Sequence, residues 1–275
     1  MKELSLGVGA EAQQQNKEPF LSVDSEDSVA KSVHGKNQQI ICGDSVEVIQ
    51  TFPDKTIDLV VTSPPYFNIQ KKYQRGTGFH YSKDFGEPLY VVEDVSQELL
   101  RVLKNNGAFC LNLGFSYGET GVLRPFYVAQ RLLRQGWICV DTIIWHKNNP
   151  VPLRERLTNS FEYIFVFAKT PEWRYKKTIN YEHNVWMFPI QQGEGNPAGF
   201  PEELPKRCIE LMSLENDVVL DPFVGNGTTC IIAKKLQRQW IGIDINPEYC
   251  EIARKRLATV PEKLDGFMKI PEASA

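Results

Sequence analysis

The stretch Thr62-Ser63-Pro64-Pro65-Tyr66, directly after the apolar run at 57–61, combines residue types suited to holding a flat group by its NH2. Two consecutive prolines remove two amide donors and restrict the backbone, which leaves the carbonyls of Ser63 and Pro64 as rigidly directed acceptors. The Ser63 hydroxyl adds a further acceptor, and the Tyr66 ring a platform. An acceptor array needs a donor, so the chemistry expected here is that of a planar amide or an aromatic amine. The competing explanation is a proline-rich turn capped by an aromatic.

A second constellation is Asp221-Pro222-Phe223-Val224-Gly225-Asn226-Gly227-Thr228-Thr229. Gly225 and Gly227 permit a tight turn and close approach of a ligand to the backbone, and the unpaired amides of the helix that Thr228 would open favour a carboxylate or phosphate. About twenty residues on, the run at 240–243 ends in Asp244, where an acid can accept hydrogen bonds from ribose hydroxyls. Together these features fit an adenosine-containing cofactor, with Asp221, Phe223, Gly225, Gly227, Thr228 and Asp244 as candidate contacts. Cys230 stands where a dinucleotide fingerprint has its third glycine, which leaves a mononucleoside such as S-adenosylmethionine. A plain tight turn would account for the two glycines alone.

Elements must position these residues. Residues 39–42, 57–61, 108–113, 137–145, 161–168, 218–220 and 240–243 are β-branched or aromatic runs, mostly bounded by Gly, Asp or Pro, as strands are. Residues 90–103, 122–134, 202–211, 228–236 and 247–257 carry apolar side chains at helical spacing. The alternation predicts an α/β fold: a seven-stranded, mostly parallel sheet with helices on both faces. In such sheets ligands bind beyond the carboxyl ends of the strands, and both constellations lie at such an end.

A chain of 275 residues can bury one sizeable α/β core. The predicted organisation is a mobile polar leader at 1–36, a catalytic domain at 37–257 and a mobile tail at 258–275. No apolar run approaches the roughly 18 residues of a membrane span, and the leader has no signal-peptide or transit pattern, so a cytoplasmic protein without a membrane partner is expected. Six scattered cysteines have no zinc or redox spacing; they are read as packing thiols, and no metal site is expected. A net charge of -3 does not suggest a grip on polyphosphate, but a local face can supply one. Lys71, Lys72 and Arg75, interleaved with Tyr73, Phe79, His80 and Tyr81, form one basic stretch. Arg154 and Arg156, followed by Arg174, Lys176 and Lys177, form another. Both are candidate nucleic-acid surfaces, the alternative being a solvated charged face.

The two motifs together resemble the DNA amino-methyltransferases, whose catalytic motif is Asp, Asn or Ser followed by Pro-Pro-Tyr. With the catalytic motif preceding the glycine motif, the order resembles the circularly permuted beta-class of that family. The resemblance covers residues 39–257. It implies a Rossmann-like fold, S-adenosylmethionine as cofactor, and Ser63, Pro64, Pro65 and Tyr66 as the catalytic residues. Ile41-Cys42-Gly43-Asp44 resembles the strand end that holds the cofactor adenine, which assigns Asp44 to the cofactor. The segment 196–204 resembles the one in which an aromatic, here Phe200, packs on the cofactor; many relatives begin it with His where this chain has Asn196. Trp145-His146-Lys147 and Thr158-Asn159-Ser160-Phe161-Glu162-Tyr163 resemble the strands flanking the base pocket, and residues 170–195 take the place of a short target-recognition insert.

What the family implies for chemistry is direct displacement on the sulfonium, with positioning and electrostatics as the main catalytic terms. No Pro-Cys pair is present for the covalent route to ring carbon. The partner implied is double-stranded DNA, its target base flipped into the site, in a bacterial-type, nucleoid-associated setting such as a restriction-modification system. Ser before Pro-Pro-Tyr is the family's usual form for cytosine-N(4), and Asp its usual form for adenine-N(6). Adenine remains the closest alternative. Methylation of a protein glutamine and a non-catalytic DNA-binding protein on the same scaffold are more distant ones. Oligomeric state, a homodimer included, is left open.

Overall fold

In the computed structural model, which describes residues 38–64, 87–114, 122–150, 152, 157–176, 181, 183–190 and 200–261, the strands join in one sheet. They are β1 (Gln39–Cys42), β2 (Ile57–Thr62), β3 (Leu103–Leu113), β4 (Ile138–His146), β5 (Phe161–Ala168), β6 (Val185–Met187), β7 (Val218–Asp221) and β8 (Gln239–Asp244), in the order β1-β8-β7-β2-β3-β5-β4-β6. Every pairing is parallel except those of β5, which runs antiparallel to both β3 and β4. The carboxyl ends of the seven parallel strands therefore share one edge with the start of β5. In β2 all six residues are buried, as expected of a parallel strand covered on both faces.

Among the described residues the sheet has eight strands rather than the seven expected. The addition, β6, has only three residues, too few for a period to show in sequence, and lies inside the stretch expected to form the insert at 170–195. Pairing of Trp145 with Trp186 and of His146 with Met187 holds it beside β4, and the Trp186 ring is buried. In β3, pairing with β2 becomes regular only from Ala108 opposite Leu59, which is where the sequence run began.

Among the described residues, six helices cover the sheet: α1 (Ser45–Gln50), α2 (Glu87–Val102), α3 (Arg124–Arg134), α4 (Glu203–Met212), α5 (Thr228–Lys235) and α6 (Pro247–Ala258). Five match the expected periodic stretches. The short α1 is instead specified by its cap, Asp44 accepting from the backbone N–H groups of Val46 (2.8 Å) and Glu47 (3.2 Å). Helix α2 buries Val92, Val95, Leu99 and Val102, a stripe at helical spacing. One apolar cluster lies between the sheet and α4, α5 and α6; the other lies between the opposite face and α1, α2 and α3. Strand alternation divides β2 between them, Leu59 and Val61 facing the first cluster and Val60 the second.

Val260, within the stretch expected to be tail, is buried in the first cluster. The expected leader at 1–36 and the remaining tail at 262–275 lie outside the described residues. The packing expectation for cysteines is met by Cys110, Cys208, Cys230 and Cys250, whereas Cys42 is exposed at the end of an edge strand and Cys139 is only half-buried. Among the described residues, no helix is long and apolar enough to cross a membrane.

Candidate active site

The glycine segment turns from β7 into α5 at the shared edge. Gly225 and Gly227 have φ of 50° and 89°, a region that L side chains rarely adopt. A Cβ on Gly227 would also lie 3.0 Å from the Ala253 Cβ of α6, so glycine is demanded there twice over. The Gly225 N–H donates to Asp244 Oδ2 (2.9 Å), and the Asn246 N–H to Asp244 Oδ1 (2.9 Å). Burial pushes the Asp244 carboxyl above its ordinary range, opposed by the two N–H donors. A carboxylate has about four acceptor positions, so Asp244 retains capacity for ribose hydroxyls.

The end of β1 joins this group. Cys42 is paired with Asp244, the Gly43 N–H donates to the Asp244 carbonyl (3.0 Å), and the Ser45 hydroxyl donates to the Pro222 carbonyl (2.5 Å). The end of β1, the glycine segment and Asp244 thus lie together at this edge. Thr228 is buried with its hydroxyl donating to Asn226 Oδ1 (3.0 Å), and Phe223 and Phe200 each pack, partly buried, against the core. A turn with glycine at two of its positions beside an incompletely engaged carboxylate fits a nucleoside that carries both a ribose and a carboxylate.

Asp221 has a different environment from the one expected of a cofactor contact. It is buried, and its oxygens accept from the Thr62 hydroxyl (2.6 Å), the Thr229 hydroxyl (2.6 Å) and the Phe223 N–H (3.1 Å). Burial pushes its carboxyl up to about 6, the three donors pulling the other way. Because Thr62 precedes Ser63 and Thr229 lies in the first turn of α5, this carboxylate ties the end of β2 to the glycine turn.

Ser63 and Pro64 follow β2 at the same edge, Ser63 partly exposed and Pro64 buried. Beside Ser63, Asn112 Nδ2 lies 3.4 Å from its Oγ and donates to Glu162 Oε2 (2.8 Å). Glu162 Oε1 in turn accepts from Lys147 Nζ (2.6 Å). Asn112 was not singled out from the sequence, although a lone amide in the apolar run at 108–113 was a signal for it. Lys147 and Glu162 stood in the strand segments that the resemblance placed around the base pocket. Pro65, Tyr66, Lys71, Lys72, Arg75, Arg154 and Arg156 lie outside the described residues.

Comparison with known proteins gives the family. The type II methyltransferase M.MwoI of Methanothermobacter wolfeii is 32% identical over 243 residues, covering 85% of this chain, which spans only 36% of that larger protein. The type II methyltransferase M.HinfI of Haemophilus influenzae is 34% identical over 254 residues, covering 80% of this chain and 68% of its own length. The structure of a proposed DNA modification methylase of Thermus thermophilus, complexed with S-adenosyl-L-methionine, superposes with a TM-score of 0.64 at 28% identity, covering 84% of this chain and 97% of that one. Residues 57–255, from β2 through most of α6, match the DNA methylase family, and S-adenosylmethionine is the cofactor that goes with it. The chain belongs to the DNA methylase family of N6 and N4 amino-methyltransferases, in its beta-class order.

Proposed function

We propose that this protein methylates the exocyclic N4 amino group of cytosine in double-stranded DNA. The observation that carries the reading is Ser63 at the carboxyl end of β2, joined through Thr62 and Asp221 to the turn that opens α5. S-adenosylmethionine supplies an electrophilic methyl group on its sulfonium. Asp244, Asp44, Phe200, Phe223 and the backbone at Gly225, Gly227 and Thr228 hold it. Asp221 contributes by fixing the turn rather than by touching the cofactor.

An aryl amine is a poor nucleophile because its lone pair is delocalised into the ring. The Ser63 hydroxyl and the Pro64 carbonyl accept its two hydrogens, which orients the nitrogen and raises its electron density. Flipping the base out of the duplex costs a few kcal/mol. Stacking on Tyr66 offsets roughly 1 to 3 kcal/mol of that. Lys71, Lys72, Arg75, Arg154 and Arg156 hold phosphates, and the protein works in the cytoplasm on the nucleoid. Cytosine is preferred to adenine because Ser63 stands where the family's adenine enzymes usually carry Asp.

The test is the product. After incubation with mixed-sequence duplex DNA and S-adenosylmethionine, digestion to nucleosides and mass spectrometry against standards should reveal N4-methylcytosine. N6-methyladenine would overturn the base assignment and keep the chemistry; 5-methylcytosine would overturn the chemistry.

A further inference from the structure

Ser63, Asn112, Glu162 and Lys147 form a row along the carboxyl edge. They sit at or just beyond the ends of β2, β3, β5 and β4, which are neighbours in that order in the sheet. Alternation along each strand puts all four on one face, two residues from Val61, Cys110, Ile164 and Trp145, which all belong to the cluster under α4 to α6. The row is linked by Asn112 Nδ2 to Ser63 Oγ (3.4 Å), Asn112 Nδ2 to Glu162 Oε2 (2.8 Å) and Lys147 Nζ to Glu162 Oε1 (2.6 Å). Lys147 is further fixed by its N–H donating to the Ser160 carbonyl (2.6 Å) and by its ammonium lying 5.3 Å from the Trp145 ring centre. Asn112 is 1% exposed, and Glu162 and Lys147 are each 8% exposed.

A buried ion pair is a poor choice for packing alone, since apolar residues of similar volume often serve stability as well or better. Its chemistry suits orientation instead. A side-chain amide can present either its oxygen or its NH2, whereas an ionised carboxylate only accepts. Glu162 therefore selects the orientation in which Asn112 turns its NH2 toward Glu162, and the same nitrogen then faces Ser63 Oγ.

We propose that Lys147 and Glu162 are positioning residues for methyl transfer: Glu162 fixes the Asn112 amide, which holds the Ser63 hydroxyl in its accepting direction, and Lys147 balances the Glu162 charge. The proposal rests on the reading of Ser63 as the acceptor of the target amino group. Misplacing a reacting group by about 1 Å can cost on the order of 10²-fold in rate. Loss of the carboxylate frees the amide to turn, and Ser63 loses its fixed neighbour.

The experiment compares the wild type with Glu162→Gln, Lys147→Met and the double substitution Lys147→Met, Glu162→Leu. Single-turnover transfer of labelled methyl to duplex DNA is counted whichever base receives it, so the outcome is separate from the cytosine assignment. Urea unfolding, KM for DNA and calorimetric S-adenosylmethionine binding are measured alongside. Both single substitutions should slow transfer on the order of 10²-fold with little change in KM or cofactor affinity. The charge-free double substitution should recover stability and stay slow. Recovery of rate together with stability, or wild-type rates throughout, would overturn the proposal. Independently of activity, the Asn112 side-chain NH2 in asparagine-labelled protein should give two well-separated proton signals, one moved downfield by the carboxylate. Glu162→Gln should move the downfield signal back toward the ordinary position of an asparagine side-chain proton, and an unchanged pair of signals would also overturn the proposal.

Discussion

Asp221→Asn replaces a buried carboxylate with a group of nearly the same shape that cannot ionise. Its carbonyl can still accept from the Thr62 hydroxyl and the Phe223 N–H, which both use Oδ1 in the wild type. Thr229 can turn its hydroxyl to the Val61 carbonyl, already 3.4 Å away, and accept from the new NH2. What the substitution removes is titration. Burial raises the Asp221 carboxyl from an ordinary 3.8 to about 6 in the folded protein, so the native state holds the proton more tightly than the unfolded chain does. The stability that goes with this proton is fully present below 3.8 and is lost as pH rises through about 6. The gap between the two values corresponds to roughly 3 kcal/mol in all. About 2 kcal/mol of it falls between pH 4 and 8, because the unfolded chain is already partly ionised at pH 4. Urea unfolding of both proteins across that range gives the difference directly, and the other titrating groups cancel in it. The variant should gain on the wild type by about 2 kcal/mol as pH rises, most steeply between pH 4 and 6. Parallel stability curves would refute the reasoning, meaning that the two threonine hydroxyls and the Phe223 N–H fully offset burial.

Asp244→Ala should weaken S-adenosylmethionine binding in calorimetry while the far-ultraviolet circular dichroism stays native, since it removes the acceptor at the tip of β8; an unchanged affinity would take Asp244 out of the cofactor site. Replacing Lys71, Lys72 and Arg75 together with Ala should weaken DNA binding and lower the slope of log affinity against log salt by about 0.9 for each phosphate left unneutralised. An unchanged slope would make these residues a solvated face.

How much of this was legible depended on how local the determinant was. The β7-turn-α5 segment could be read because its requirements are local: two glycines at positive φ and an acid at the next strand tip. The long helices showed themselves through period, as in the Val92, Val95, Leu99 and Val102 stripe. Strand β6 and helix α1 did not, because three and six residues are too few for a period; one is held by its neighbour β4 and the other by the Asp44 cap. The surroundings of Asp221 were not legible for a similar reason. Nothing along the chain indicates that its carboxylate is enclosed by Thr62 and Thr229, whose places depend on β2 lying next to β7.

By itself, then, the sequence determined the alternation of strands and helices and the positions of the two motifs at strand ends, since each follows from residue type and spacing within a few turns or strand repeats. Tertiary structure alone decided that β5 runs antiparallel between β3 and β4, and so brings Glu162 to the edge where Ser63, Asn112 and Lys147 lie at or just beyond the ends of β2, β3 and β4. The physical reason lies in what each level encodes. Side-chain alternation assigns a residue to a face of its own strand, whereas neighbours across the sheet are set by strand order and register, which emerge only when distant segments bury their apolar faces together.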